Sequence, residues 1–225
     1  MNKLKKYNCQ TQCQIKSFHI QIKIFVVIIS FFFLSCNYND HKKVKDDYKS
    51  IDIKFDRFEK KFFEIDPDSL TSLINEYPFL FSDRFTINDW KAIKTDSIRN
   101  EIYKNTEFVF KNIKPIENEI EKIFLKTKKY FPNFTHPKLI TINNGIDYKY
   151  KIVDSDSIVL ISLDCYLGDN IFYENIPTHI TEFMKPDFIP VDISELISSR
   201  FIKISNDRKF ISKIISHGKL LFLMN

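Results

Sequence analysis

Apolar and polar side chains alternate through residues 51–58, Ile-Asp-Ile-Lys-Phe-Asp-Arg-Phe, the spacing of a strand with one buried face. Behind it, Asp66-Pro67-Asp68-Ser69 offers a capping side chain and a proline at the first helical position, so a helix is expected over residues 67–77, stopped by Pro78. A second helix is expected over 86–105 and a third over 107–130, where Val109, Ile113, Ile116, Ile120, Ile123 and Phe124 fall on one face and Pro115 kinks or divides it. Three strand-like runs follow, at 138–143, 147–153 and 157–164, the last with the pattern of a buried strand. Asn144-Gly145 has the composition of a two-residue hairpin turn. The chain then returns to helix: Ile189, Ile193, Leu196 and Ile197 share a face up to about Phe201. In a last helix, 207–225, Phe210, Ile214, His217 and Leu221 share a side. His217 on that side fits a core or boundary histidine, and Gly218 in a helix interior costs about 1 kcal/mol against Ala, which points to a close packing contact. The sum is an α+β domain, mainly helical, with a small antiparallel or mixed sheet.

The first 48 residues have a different pattern. Residues 24–34 are an apolar run of 11 positions behind a stretch with five lysines and no acid, too short for a spanning helix of about 20 residues and suited to a signal peptide. Phe33-Leu34-Ser35-Cys36 resembles a lipobox, with Cys36 as the lipidated mature N-terminus. Residues 37–47 are polar and nearly free of large apolar side chains, so 36–48 read as a solvated tether and 49–225 as one α+β domain. The tether has only Asp40 close to Cys36, which favours a periplasm-facing position.

Charge then narrows the partners. The net charge is +5, but Lys3, Lys5, Lys6, Lys16 and Lys23 all precede Cys36, and beyond it basic and acidic residues balance at 29 each. A nucleic-acid partner is therefore not expected, since non-specific binding needs an excess of cations against phosphates. Cys9 and Cys13 lie in the leader, leaving Cys165 as a single thiol in the domain, expected to be buried and inert.

Little in the sequence nominates catalysis. Three glycines, Gly145, Gly168 and Gly218, cannot assemble a phosphate loop or a dinucleotide fingerprint. His41, His136, His179 and His217 include no i, i+4 pair, so no metal and no cofactor are expected. Asp154 and Asp156 flank a hairpin and Asp187 and Asp192 a helix start, where capping and solvation account for them. The most unusual segment, Leu163-Asp164-Cys165-Tyr166-Leu167-Gly168-Asp169-Asn170, follows the buried strand directly. It reads equally as a recognition loop and as a packed structural turn.

Taken in order, Cys36, residues 53–63 with Asp66, Tyr77-Pro-Phe-Leu-Phe81, Leu160-Ile-Ser-Leu-Asp-Cys-Tyr-Leu-Gly168, Ile189-Pro-Val-Asp-Ile193 and Ile214-Ile-Ser-His-Gly-Lys-Leu-Leu-Phe222 resemble the gliding motility lipoprotein GldB family. The resemblance implies a membrane-held envelope lipoprotein that supports gliding and the linked type IX secretion apparatus through contacts with other envelope proteins, and no enzyme. It nominates Asp164, Tyr166, Leu167, Gly168, Gly218 and Lys219 as an interaction or structural motif, and it implies a further helical section beyond Asn225, so the chain reads as a C-terminally short member. A more distant similarity to zincin-type metallopeptidases implies a degenerate scaffold, because the comparable helix reads Asp192-Ile-Ser-Glu-Leu196 without histidines. The alternative is an envelope metal-dependent hydrolase using His136, His179 and Asp192.

The lipobox gives a direct expectation. Lipoproteins carry two or three acyl chains, enough for durable attachment, so Cys36→Ala should abolish palmitate labelling and leave the precursor unprocessed; labelling that survives the change would remove Cys36 as the anchor.

Overall fold

The computed structural model describes residues 51–169, 171–202 and 210–224. The leader, Cys36, the tether, Asn170 and the start of the last expected helix lie outside the described residues. A four-stranded mixed sheet, β1 (Asp56–Arg57), β2 (Lys138–Ile142), β3 (Ile152–Ser155) and β4 (Ile158–Ser162), runs in the order β1-β2-β4-β3. β1 and β4 flank β2 in parallel, and β3 closes the far edge antiparallel to β4. Around it pack α1 (Phe58–Glu64), α2 (Leu70–Glu76), α3 (Ile87–Thr95), α4 (Ser97–Val109), α5 (Lys114–Tyr130), a short α6 (Thr178–Thr181), α7 (Phe188–Phe201) and α8 (Phe210–Met224). The expected mainly helical domain with a small mixed sheet is what the structure shows.

The strand sequences place the two cores. Side chains alternate across a sheet, so Leu139, Val159 and Ile161 enter one cluster with Phe124 of α5 and Ile189, Ile193 and Ile197 of α7. Ile140, with Ile142, Ile158 and Leu160, faces the opposite cluster built by Phe58, Phe62, Leu70, Leu73, Tyr77 and Phe81. Helices thus cover both faces of β2 and β4, which is why β4 is an unbroken apolar run rather than an alternating one.

Several boundaries differ from the sequence expectation. Ile53 and Phe55 are buried as the alternation requires, but only Asp56 and Arg57 pair with β2. The Phe55 amide instead donates to Glu117 Oε1 of α5 (2.9 Å), and Phe58 already begins a helix. The stretch expected as one helix over 86–105 is two. Thr86 and Asp89 form a reciprocal capping box for α3, and Asp96 breaks the chain and caps α4 by accepting from the Arg99 amide (2.8 Å). Pro115 does divide the following stretch, sitting in the first turn of α5 after a break at 110–113. Asn144-Gly145 is no hairpin turn, since β2 pairs with β4 and the hairpin joins β3 to β4 through Asp156, at φ 47°.

Charged side chains fasten the first strand to both layers. Glu59 is almost wholly buried, paired with Arg57 and accepting from Thr141 Oγ1 (2.5 Å). Burial pushes its carboxyl up, against the pull of Arg57 and Thr141. Arg57 also reaches Glu107 (2.7 Å) and the Phe110 carbonyl (3.3 Å), tying β1 to the end of α4. Lys94 of α3 donates to the Phe62 and Phe63 carbonyls (2.8 and 2.6 Å), satisfying acceptors that α1 leaves open at its C-terminus.

The last helix departs most from expectation. Phe210, Ile214, His217 and Leu221 are exposed, while Ser216 and Leu223 turn inward. Among the described residues a Cβ on Gly218 would meet nothing within 4 Å, so no close contact there requires the glycine.

Phe124 has no exposed surface and joins α5 to the sheet. Phe124→Ala should destabilise the domain by about 3–5 kcal/mol, the range for emptying an aromatic core site. Urea unfolding checks this, and a loss under ~1 kcal/mol would mean that α5 is not packed on the sheet as described.

Candidate functional site

Asp164 lies in the 3-10 turn Leu163–Cys165 that follows β4, and is fully buried. Its Oδ2 accepts from the amides of Gly145 and Ile146 (both 2.8 Å) and its Oδ1 from that of Asn144 (3.2 Å). Gly145 and Ile146 both have positive φ, 82° and 64°, a conformation that a β-branched residue adopts only when its surroundings impose it. The Asn144 side chain completes the turn, accepting from the Asp147 amide (2.9 Å) and donating to the Asp147 and Tyr150 carbonyls. Burial pushes the Asp164 carboxyl up to about 6, and the three backbone donors oppose the rise.

The rest of the nominated segment also turns inward. Cys165, Tyr166 and Leu167 are buried, with the thiol pushed well up by burial, as an inert cysteine requires. The Tyr166 hydroxyl donates to Asp192 Oδ2 (2.6 Å), which Lys151 also meets (2.6 Å), so Asp192 serves a three-residue link between α7 and β3 rather than a helix start. The Tyr173 hydroxyl donates to the Asp164 carbonyl (2.6 Å) and accepts from the Leu167 amide (2.9 Å). Gly168 takes φ 80° where its amide donates to Met184 (2.8 Å). Gly218 and Lys219 are exposed on α8, away in sequence and in element from this cluster.

A second feature was missed by sequence reasoning. Outside the carboxyl end of β2 lies a cavity of about 280 Å³, walled by α1 (Phe62, Phe63), the 3-10 turn after α2 (Phe81), α3 (Trp90, Ile93), the first turn of α4 (Arg99) and the β2 terminus (Ile142, Asn143). Trp90 meets Phe62 and Phe81 edge to face, with ring centroids 6.3 and 5.0 Å away. Arg99 is half-buried, and among the described residues its guanidinium has no ion pair or hydrogen bond. It lies over the Asp164-held turn, 3.4 Å from where a Gly145 Cβ would stand. Asn143 donates to Thr106 Oγ1 (3.1 Å), while its Oδ1 is buried and has no partner among the described residues. These residues span positions 62–143 without local spacing; the lone tryptophan among clustered phenylalanines was the available signal.

The sequence model of one protein family, the gliding motility protein GldB, matches residues 39–225. The chain belongs to the GldB family. No curated protein and no solved structure gives a match. GldB proteins are motility lipoproteins of the envelope membrane rather than an enzyme family, and among the described residues no helix is long and apolar enough to cross a membrane.

The more distant zincin-like scaffold finds no support. The GldB sheet is four short strands with helices on both faces, and α7 carries Asp192 on an internal ion pair in place of a ligand. Exposed His136 stacks on Phe124, exposed His179 lies on α6, and Asp192 is held by Lys151 and Tyr166. No group of three or more His, Cys, Asp or Glu among the described residues could hold a metal.

Asp164 yields a pH test. Its folded pKa of about 6 lies above the 3.8 of an ordinary aspartate, so the folded state holds the proton more tightly than the unfolded chain. The resulting stabilisation is full below about pH 4 and is lost as pH rises through about 6. Asp164→Asn cannot titrate, so wild-type stability minus that of the variant should fall between pH 4 and 7, on the order of 1–3 kcal/mol. Urea midpoints across that range measure it; a flat difference would show that the three amides keep the carboxylate ionised throughout.

Proposed function

We propose that this GldB domain acts from a lipid anchor at Cys36, on a tether over 36–48, as a periplasm-facing component that supports gliding and the associated type IX secretion machinery through protein contacts. The observation that carries the reading is the family match across 39–225. Geometry supports it. The groups best suited to chemistry, namely Glu59, Asp164, Cys165 and Tyr166, are buried in internal contacts and offer no face to a substrate. Surface features remain for partners, including Gly218 and Lys219 on α8 beside exposed Phe222 and Leu221.

Removal of the gene should abolish spreading over surfaces, and the wild-type chain should restore it. His136→Ala and His179→Ala change exposed residues and should restore spreading as fully as wild type. Loss of spreading with either variant at normal protein level would overturn the contact reading in favour of a hydrolase.

A further inference from the structure

We propose that the cavity at the end of β2 is a binding site for an apolar carboxylate: an aromatic or branched aliphatic group fills the cavity, and the carboxylate, a few bonds away, pairs with Arg99. The inference stands apart from the motility reading, since binding can be present or absent whatever machinery the domain serves.

Size sets the first limit. A cavity of about 150 Å³ accepts benzene, so about 280 Å³ holds one ring-sized group with a short extension. The walls set the second: Phe62, Phe81 and Trp90 offer ring surface on one part of the lining, and Arg99, Asn143 and Asn144 make the rest polar, which suits a group that is apolar at one end and polar at the other. Charge sets the third. Among the described residues Arg99 is the one cation lining the cavity, and no carboxylate pairs with it. A half-buried guanidinium with all its donors open is a planar fork matched to a carboxylate. One positive charge without a lysine beside it suits a monoanion better than a phosphate dianion. Asn143, whose Oδ1 is buried without a partner among the described residues, adds a polar side chain to the same wall. Two sources share this chemistry: the free C-terminal residue of a polypeptide, and a small aryl or alkyl acid.

The chain's one tryptophan, Trp90, is in the cavity wall and reports occupancy by its fluorescence. Full-length protein in lipid nanodiscs would be titrated with 3-phenylpropionate, with neutral 3-phenylpropanol, and with a hexapeptide ending in Phe as the free acid or the amide. The free acids should give saturable changes at least roughly tenfold tighter than their neutral counterparts, the discrimination of one charge-assisted pair. Arg99→Gln should remove that preference while leaving the weak binding of phenylpropanol unchanged, which shows that the cavity itself is intact. Tighter binding of the peptide acid than of phenylpropionate would assign the site to a chain terminus, and the reverse order to a small acid. Equal binding of acid and neutral forms, or no saturable change with any probe, would overturn the proposal.

Discussion

Asp164 carries an ionisable carboxyl into a fully buried position, and the amides of Asn144, Gly145 and Ile146 converge on it. Three donors on one buried acid hold two successive residues at positive φ, one of them a β-branched isoleucine. That turn ends β2 and sends the chain past its neighbour position, so that β4 returns between β2 and β3. Tyr173 clasps the same residue from its carbonyl side, and Tyr166 next to it reaches Asp192 on α7. The Asp164 side chain therefore fixes the end of β2, while its carbonyl and Tyr166, two residues on, tie the segment after β4 to Tyr173 and to α7.

Much of this was legible where periodicity reports burial, and lost where a single polar contact decides. The alternation over 51–58 located Ile53 and Phe55 in the core correctly, yet hydrophobic period says nothing of which partner takes the Phe55 amide, and Glu117 took it from the ladder. Asp96 was unremarkable in sequence until its side chain capped α4. Asn144-Gly145 has hairpin composition, but long-range capture by Asp164 overrode the local preference. In α8 the amphipathic pattern pointed to the wrong side, and the exposed Phe210 and Ile214 show that period alone cannot choose between two apolar faces. The segment after β4 stands out in sequence because a buried strand running into Asp-Cys-Tyr places polar atoms where each needs a partner.

The cavity was invisible in sequence for a different reason. Its walls come from α1, the turn after α2, α3, α4 and β2, brought together where Glu59 ties α1 to β2, Arg57 ties β1 to the end of α4, and Lys94 ties α3 to α1. Those charges are nearly or partly buried and either paired or hydrogen-bonded to backbone carbonyls, so their worth lies in fixing how the elements meet more than in net stability.

The sheet's two margins have a consequence for life at a membrane. One border strand is only Asp56–Arg57, and the other, Ile152–Ser155, includes Asp154, which Arg200 of α7 holds through its Nε (3.1 Å). Proteins confined to a bilayer plane meet one another far more often than proteins in free solution, and an open, flat, apolar strand edge would invite copies to zip together. Margins this short and this charged give a neighbouring copy almost no ladder to extend, so the domain can be crowded in two dimensions without polymerising through its sheet.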